Sequence, residues 1–251
     1  MEPWEHILNV LKYTNQDVFT VTADQIKECK NSWKGKANQF EPRLLCYQTS
    51  ANHRSEIFKK NGIYILPIKN GTYLLCKMNT YMSLDYSSLA PVIISRDKSS
   101  LVLGIGDSET SIIDNLRYTG VFERPELLGE PITHGPLLNG RHRITMEMKL
   151  GNQDISINGV QFETDSCYES RNKILIIEGK SSATTIDSFN IRQLYFPFRE
   201  VYRVTSGKKE IICVFIHNLN GIIHIWKYGF SDINKMDSIE VKGHYTYKFS
   251  S

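Results

Sequence analysis

Asp165, Glu178 and Lys180 are the residues of this 251-residue chain whose types and spacing could do chemistry. Residues 174–177 form a continuous apolar run, the pattern of a strand buried on both faces. The run ends in Glu178-Gly179-Lys180, and charge at the end of a buried strand is costly unless it is paired or binds something. Residues 160–165 read as the preceding strand, closed by Asp165, and the polar stretch 166–173 reads as a hairpin loop. Folding that hairpin brings Asp165 beside Glu178, and side-chain alternation puts Lys180 on the face of Glu178. Carboxylate oxygens are hard ligands suited to Mg²⁺, which keeps waters and substrate phosphate oxygens in its shell. Such an ion makes water a better nucleophile and offsets charge on a phosphate, while the lysine orients or helps to deprotonate that water. Phosphodiester hydrolysis uses all of these roles. For a charged strand end taken alone, a solvated surface hairpin is the other reading.

The elements around this hairpin must hold it. Downstream, Asn190 to Tyr195 is expected as a helix stopped near Pro197, and 181–185 as a turn that could cradle phosphate. Residues 210–216 and 221–228 read as two strands joined through Asn218 to Gly221, and 245–249 alternates as an edge strand would. Upstream, 91–94 and 101–104 read as strands. A helix then opens at Gly106-Asp107-Ser108, capped by Asp107 or Ser108, with Ile112, Ile113 and Leu116 as its buried stripe. The Gly- and Pro-rich stretch from Gly120 to Gly140 marks a long loop, and Arg141-His142-Arg143 leads from it into a strand over 144–148. The two arginines could meet phosphate or a base edge, or simply be solvated. The fold class expected is α/β (α+β), a mixed central sheet flanked by helices.

The N-terminal part has its own rhythm. Trp4, Ile7, Leu8 and Leu11 stand at helical spacing, and Thr22 with Gln25 matches a capping box for a second helix. Lys34-Gly35-Lys36 breaks that helix. Glu41-Pro42 opens a third, and 55–62 is a fourth that ends at Gly62. Residues 63–68 and 72–76 flank Lys69-Asn70-Gly71, a strong hairpin signal. Helices followed by a hairpin match a winged-helix module as well as a plain α+β subdomain. In the first case Arg43, His53, Arg54, Lys59 and Lys60 would face DNA. A boundary at 88 divides the chain into a recognition region, 1–88, and a core, 89–251.

Composition narrows the classes. With 41% hydrophobic and 23% charged residues the chain is not of the disordered kind. A net charge of +3 neither demands nor opposes a nucleic-acid partner. The five cysteines are scattered with no CxxC pair, which argues against zinc and a disulfide framework and fits a reducing, cytoplasmic setting. No apolar run reaches the roughly 18 residues of a membrane helix, and Met1-Glu2-Pro3-Trp4 lacks the start of a signal peptide. Gly104-Ile105-Gly106 lacks the third glycine of a dinucleotide fingerprint. His217 and His224 lack a metal spacing partner and read as structural.

Asp165, twelve intervening residues, then Glu178-x-Lys180 resembles the PD-(D/E)XK nuclease superfamily, which includes most type II restriction endonucleases. The block over 158–200, with the helix beginning near Asn190, is similar to a group of restriction-endonuclease-like proteins. Thr164 stands where the family has proline, and Gly179 where a small apolar or β-branched residue is usual. The resemblance implies a restriction-endonuclease-like core that uses Mg²⁺ to cut double-stranded DNA at a short specific sequence. Asp165 and Glu178 would bind metal and Lys180 would act on water. Glu109, in the first turn of the preceding helix, matches an acidic residue that joins the metal site in such nucleases, though acidic residues favour first turns anyway. Glu163, two residues before Asp165, would assist or pair with a basic neighbour, and Gln193 matches a glutamine of some related nucleases. Arg141, Arg143, Arg43 and Lys59 are the DNA contacts expected. Such enzymes commonly cut palindromes as homodimers. A structure-specific repair or mobile-element nuclease, and a DNA-binding protein with an inactive core, are the alternatives.

Overall fold

The computed structural model describes residues 2–35, 37–87, 89–95, 108–182 and 185–250. Lys36, the strand expected over 101–104, Asp107 and the middle of the 181–185 turn lie outside the described residues. The chain is α+β, with large mixed sheets flanked by few helices.

Helix α1 (Pro3–Val10) buries Trp4, Ile7 and Leu8, the stripe expected from their spacing. Strand β1 (Val18–Thr22) runs directly into α2 (Ala23–Cys29). There Thr22 Oγ1 accepts from the Gln25 N–H at 3.1 Å and Gln25 Oε1 accepts from the Thr22 N–H at 2.8 Å, a closed capping box. Short helices α3 (Pro42–Cys46) and α4 (Glu56–Lys60) follow, then the hairpin of β2 (Tyr64–Lys69) and β3 (Thr72–Cys76). Its turn needs Gly71, whose φ is +67°. These elements enclose a core around Ile26, Phe58 and Ile63.

The short strands β4 (Tyr81–Ser83) and β5 (Val92–Ile94) lead to helix α5 (Glu109–Tyr118), which is capped by Ser108. Then come β6 (Ile132–His134), the long pair β7 (His142–Leu150) and β8 (Gln153–Phe162), and β9 (Ser166–Ser170) with β10 (Lys173–Ser182). The chain closes with β11 (Ser188–Asn190), α6 (Arg192–Thr205), β12 (Glu210–Leu219), β13 (Ile222–Phe230) and β14 (Ile239–Phe249).

Among the described residues, one sheet has the order β5-β14-β13-β12-β10-β9-β6 and another β1-β3-β2-β8-β7. In the first, β10 runs parallel to β12 and antiparallel to β9. A parallel neighbour needs a crossover, and α6 supplies it. Strand β10 is buried on both faces, as its apolar run requires. Ile174 and Ile176 join the core that includes Leu194 and Phe196 of α6, whereas Leu175 and Ile177 join the core of Ile112 and Ile113 on α5.

Four expectations are corrected. Residues 166–170 are not a hairpin loop but strand β9, and β8 belongs to the other sheet. The polar side chains misled because they are buried with partners: Ser170 Oγ donates to Glu130 Oε1 at 2.5 Å and accepts from the Lys173 N–H at 3.1 Å. Helix α6 does not stop near Pro197 but runs through it to Thr205. An interior proline costs about 3 kcal/mol. Burying Leu194, Tyr195, Phe196, Phe198 and Val201 outweighs that, at about 1.5–3 kcal/mol for each large apolar side chain. The tail is not an edge strand, because β5 pairs alongside β14 and forms the sheet's border. Part of the expected 120–140 loop is ordered as β6, paired to β9.

All five cysteines are free thiols, four of them buried. Among the described residues no helix is long and apolar enough to cross a membrane.

Candidate active site

The last pair of the β9–β10 ladder is Ser166 with Ile177, so the next register position sets Asp165 opposite Glu178. Thr164 anchors the approach, its Oγ1 donating to the Ile177 carbonyl at 3.1 Å. Asp165 Oδ2 then accepts from the backbone N–H of Gly179 at 2.6 Å. The two carboxylates meet as expected, but through a strand pairing rather than around a loop.

Glu178 is buried, with 5% of its surface exposed. Its Oε1 accepts from Lys180 Nζ at 2.9 Å and from the side-chain amide of Gln193, in the first turn of α6. Lys180 Nζ also donates to the Gly179 carbonyl at 2.7 Å and stands 3.7 Å from Glu109 Oε1, at the start of α5. No donor among the described residues reaches Glu178 Oε2 or Asp165 Oδ1. Burial pushes the Glu178 carboxyl up to about 7; Lys180 works against the rise and Asp165 and Glu109 add to it. Burial disfavours the Lys180 ammonium, but Glu178, Asp165 and Glu109 outweigh it and hold its pKa above the ordinary lysine range. Lys180 is therefore a fixed cation and donor here.

The glycine between them has a packing reason. A Cβ on Gly179 would stand 3.3 Å from Ile113 Cδ1, 3.7 Å from Asp165 Oδ2 and 3.8 Å from Glu109 Cβ. Strand β10 thus presents Glu178 and Lys180 to the α6 side and a bare backbone to α5, letting α5 close in and deliver Glu109.

Asp165, Glu178 and Lys180 line a cavity of about 530 Å³, joined by Glu109, Glu163 and Gln193. Of the basic residues expected at DNA, Arg43 and Arg141 line it too. Arg141 Nε pairs with Glu163 Oε1 at 3.0 Å, so Glu163 takes the basic-neighbour alternative. Arg143 and Lys59 do not line it: Arg143 donates to the Gly159 carbonyl at 3.1 Å, and Lys59 pairs with Glu56 at 2.8 Å on α4. The Arg54 guanidinium is taken by the carbonyls of Ala51 and Ile63 and lies over the Tyr64 ring, and His53 bonds Thr49 Oγ1 at 2.7 Å. Four lining residues are not among the expected site residues: Tyr47, Gln161, Phe162 and Arg192. Arg192 directly precedes Gln193, and a basic residue at a helix start next to a candidate site was the available signal.

The donor set fits Mg²⁺. Three carboxylates face one ammonium, and Asp165 and Glu178 each keep an oxygen that no donor among the described residues occupies. Among the described residues no group of three or more His, Cys, Asp or Glu is placed to hold a metal ion. Mg²⁺ needs none, since it is commonly held by one or two carboxylates and keeps several waters.

With this geometry the chain presents the class of an α+β protein carrying a charged cleft, lined by carboxylates and cations, at the end of the buried part of a strand. The family model described as Domain of unknown function (DUF6997) matches residues 76–248, and the chain belongs to that family. A second model, Domain of unknown function (DUF6996), matches residues 1–75. No curated protein and no solved structure matches the chain.

Proposed function

We propose that this protein is a Mg²⁺-dependent endonuclease of the type II restriction kind, built on a PD-(D/E)XK-like core, that cuts double-stranded DNA at a short specific sequence. The observation that carries this reading is the convergence of Asp165, Glu178 and Lys180, with Gln193 fixing Glu178, in one open cavity. The flanking topology supports it: β9, β10, the α6 crossover and β12 place the three residues at one end of a mixed sheet.

Asp165 and Glu178 would hold the ion through their free oxygens. Mg²⁺ bound there supplies charge neutralisation at a phosphate and acidifies water. The chain's own residues do the rest. Gly179 N–H and Gln193 lock the two carboxylates in place, so no reorganisation is needed when substrate arrives. Lys180, kept positive by its neighbours, donates toward the phosphate oxygens or the attacking water. A two-fold homodimer is the assembly that matches a palindromic site.

The test is digestion of unmethylated phage DNA by wild type and Lys180→Ala, in Mg²⁺ and in EDTA. Discrete fragments, lost in the variant and in EDTA, are the expected result. Cleavage only of branched or single-stranded DNA would replace the restriction reading with a structure-specific one. Binding without cleavage would point to an inactive core.

A further inference from the structure

Beside the charged cavity lies a second one of about 250 Å³, set between α3, the β2–β3 turn and the start of α6. Arg43, Tyr47, Gln161 and Arg192 line both, so the two spaces share a wall. Their charge balance differs. Four carboxylates and four cations line the first, whereas three cations and no carboxylate line the second: Arg43, Lys69 and Arg192. Among the described residues none of these three side chains makes an ion pair, although Arg141, Arg203 and Lys209 do so elsewhere on the chain.

Arg192 is the telling member. Burial disfavours the charge of its guanidinium, while the phenols of Tyr47 and Tyr81, the Glu178 carboxylate and the Tyr73 phenol favour it. Burial pushes the Tyr73 and Tyr81 hydroxyls up to about 12, so neither supplies a counter-anion. A partly desolvated guanidinium that makes no ion pair among the described residues is costly, and its fork of donors suits a phosphate. The cations come from separate elements: Lys69 from the end of β2, Arg43 from α3 and Arg192 from α6. Lys69 pairs with Asn158 of β8, and Gln161 lies three residues further on the same strand, so β2 and β8 are fixed to each other. An array spread over three elements suits a chain of regularly spaced anions better than a single one.

We propose that Arg43, Lys69 and Arg192 form a track for the sugar-phosphate backbone of the DNA strand that leaves the Glu178 cavity. The proposal rests on the nuclease reading for the identity of the polymer, and the track offsets the repulsion that an acidic centre imposes on phosphate.

The experiment is fluorescence-anisotropy titration of a labelled duplex oligonucleotide in EDTA, over a series of salt concentrations. Wild type is compared with Lys69→Gln, Arg192→Gln and, as control, Lys242→Gln on β14, each checked by thermal melting. Loss of one phosphate contact is expected to weaken binding about tenfold and to reduce the slope of log affinity against log salt by about one. Lys69 is exposed at the end of β2, so its variant remains informative if Arg192→Gln fails to fold. Unchanged affinity and slope in Lys69→Gln and in any folded Arg192→Gln would overturn the track, while cleavage by the wild type would leave the nuclease reading standing. Weakened binding by the variants with no cleavage by the wild type would do the reverse. Absence of wild-type binding overturns the track outright.

Discussion

Asp165 holds the amide of Gly179 at 2.6 Å, so a carboxylate of one strand is clamped to the backbone between the two charged residues of the next. Asparagine can accept the same bond through its carbonyl oxygen. Asp165→Asn is therefore expected to melt close to wild type yet lose at least ~100-fold in cleavage, since the charge is gone. Asp165→Ala leaves the Gly179 N–H without its partner and should also lose about 1–3 kcal/mol of stability. Parallel melts and plasmid digestion check both. An active Asp165→Asn would remove the residue from the site.

Mg²⁺ binding should follow the free oxygens. Isothermal titration of Mg²⁺ into wild type is expected to give a signal that Glu178→Gln abolishes. Gln193→Ala should weaken it about tenfold, by the usual cost of losing a group that orients a ligand. Lys180→Ala should bind as well or better, because a competing cation leaves the cavity. Wild-type heats equal to the buffer blank would remove the ion from the reading.

Gly179 predicts a packing effect separable from chemistry. A valine there meets Ile113 on α5 and should cost about 1–3 kcal/mol by overpacking. Adding Ile113→Ala should restore part of that stability, which a double-mutant cycle would read. Strict additivity would mean that α5 is not the obstacle.

Acid should unfold the protein in two stages. Burial lowers His217 to about 4, where its ring is bonded to Tyr86 Oη at 2.6 Å and Ser182 Oγ at 2.9 Å. The unfolded chain binds this proton near pH 6.5 and the folded one does not, so stability is full above 6.5 and falls as pH drops from 6.5 to 4. Glu130 is lowered to about 2, first by the Ser170 hydroxyl and then by the Asn172 N–H. Its contribution is present above about 4.5 and is lost between 4.5 and 2. Denaturant melts across pH should show His217→Gln flattening the upper window and Glu130→Gln the lower one. An unchanged profile in both would refute the assignment.

The three central residues were legible because they break a local rule: an apolar run that ends in charge asks for a partner. The capping box at Thr22 and the turn at Asn70-Gly71 were legible because each is written within a few adjacent residues. Strand β9 was not, since Ser166 and Ser170 look solvated until Glu130, forty residues upstream, is brought beside Ser170. Pro197 spoke for a helix end in local terms, and the packing of α6 overruled it. The meeting of Tyr47, Lys69 and Arg192 depends on β8 joining the N-terminal hairpin, a pairing across almost ninety residues that no periodicity announces.

That pairing has a mechanical consequence. Strand β8 ends at Phe162, and only Glu163 and Thr164 separate it from Asp165. The same strand touches the end of β2 through Asn158 and the cation-lined cavity through Gln161. One stretch of the strand thus sits against the N-terminal hairpin, and its end leads to a carboxylate. On the proposed reading, the seating of the duplex against the N-terminal hairpin and the placement of Asp165 opposite Glu178 are joined through one continuous strand and two further residues.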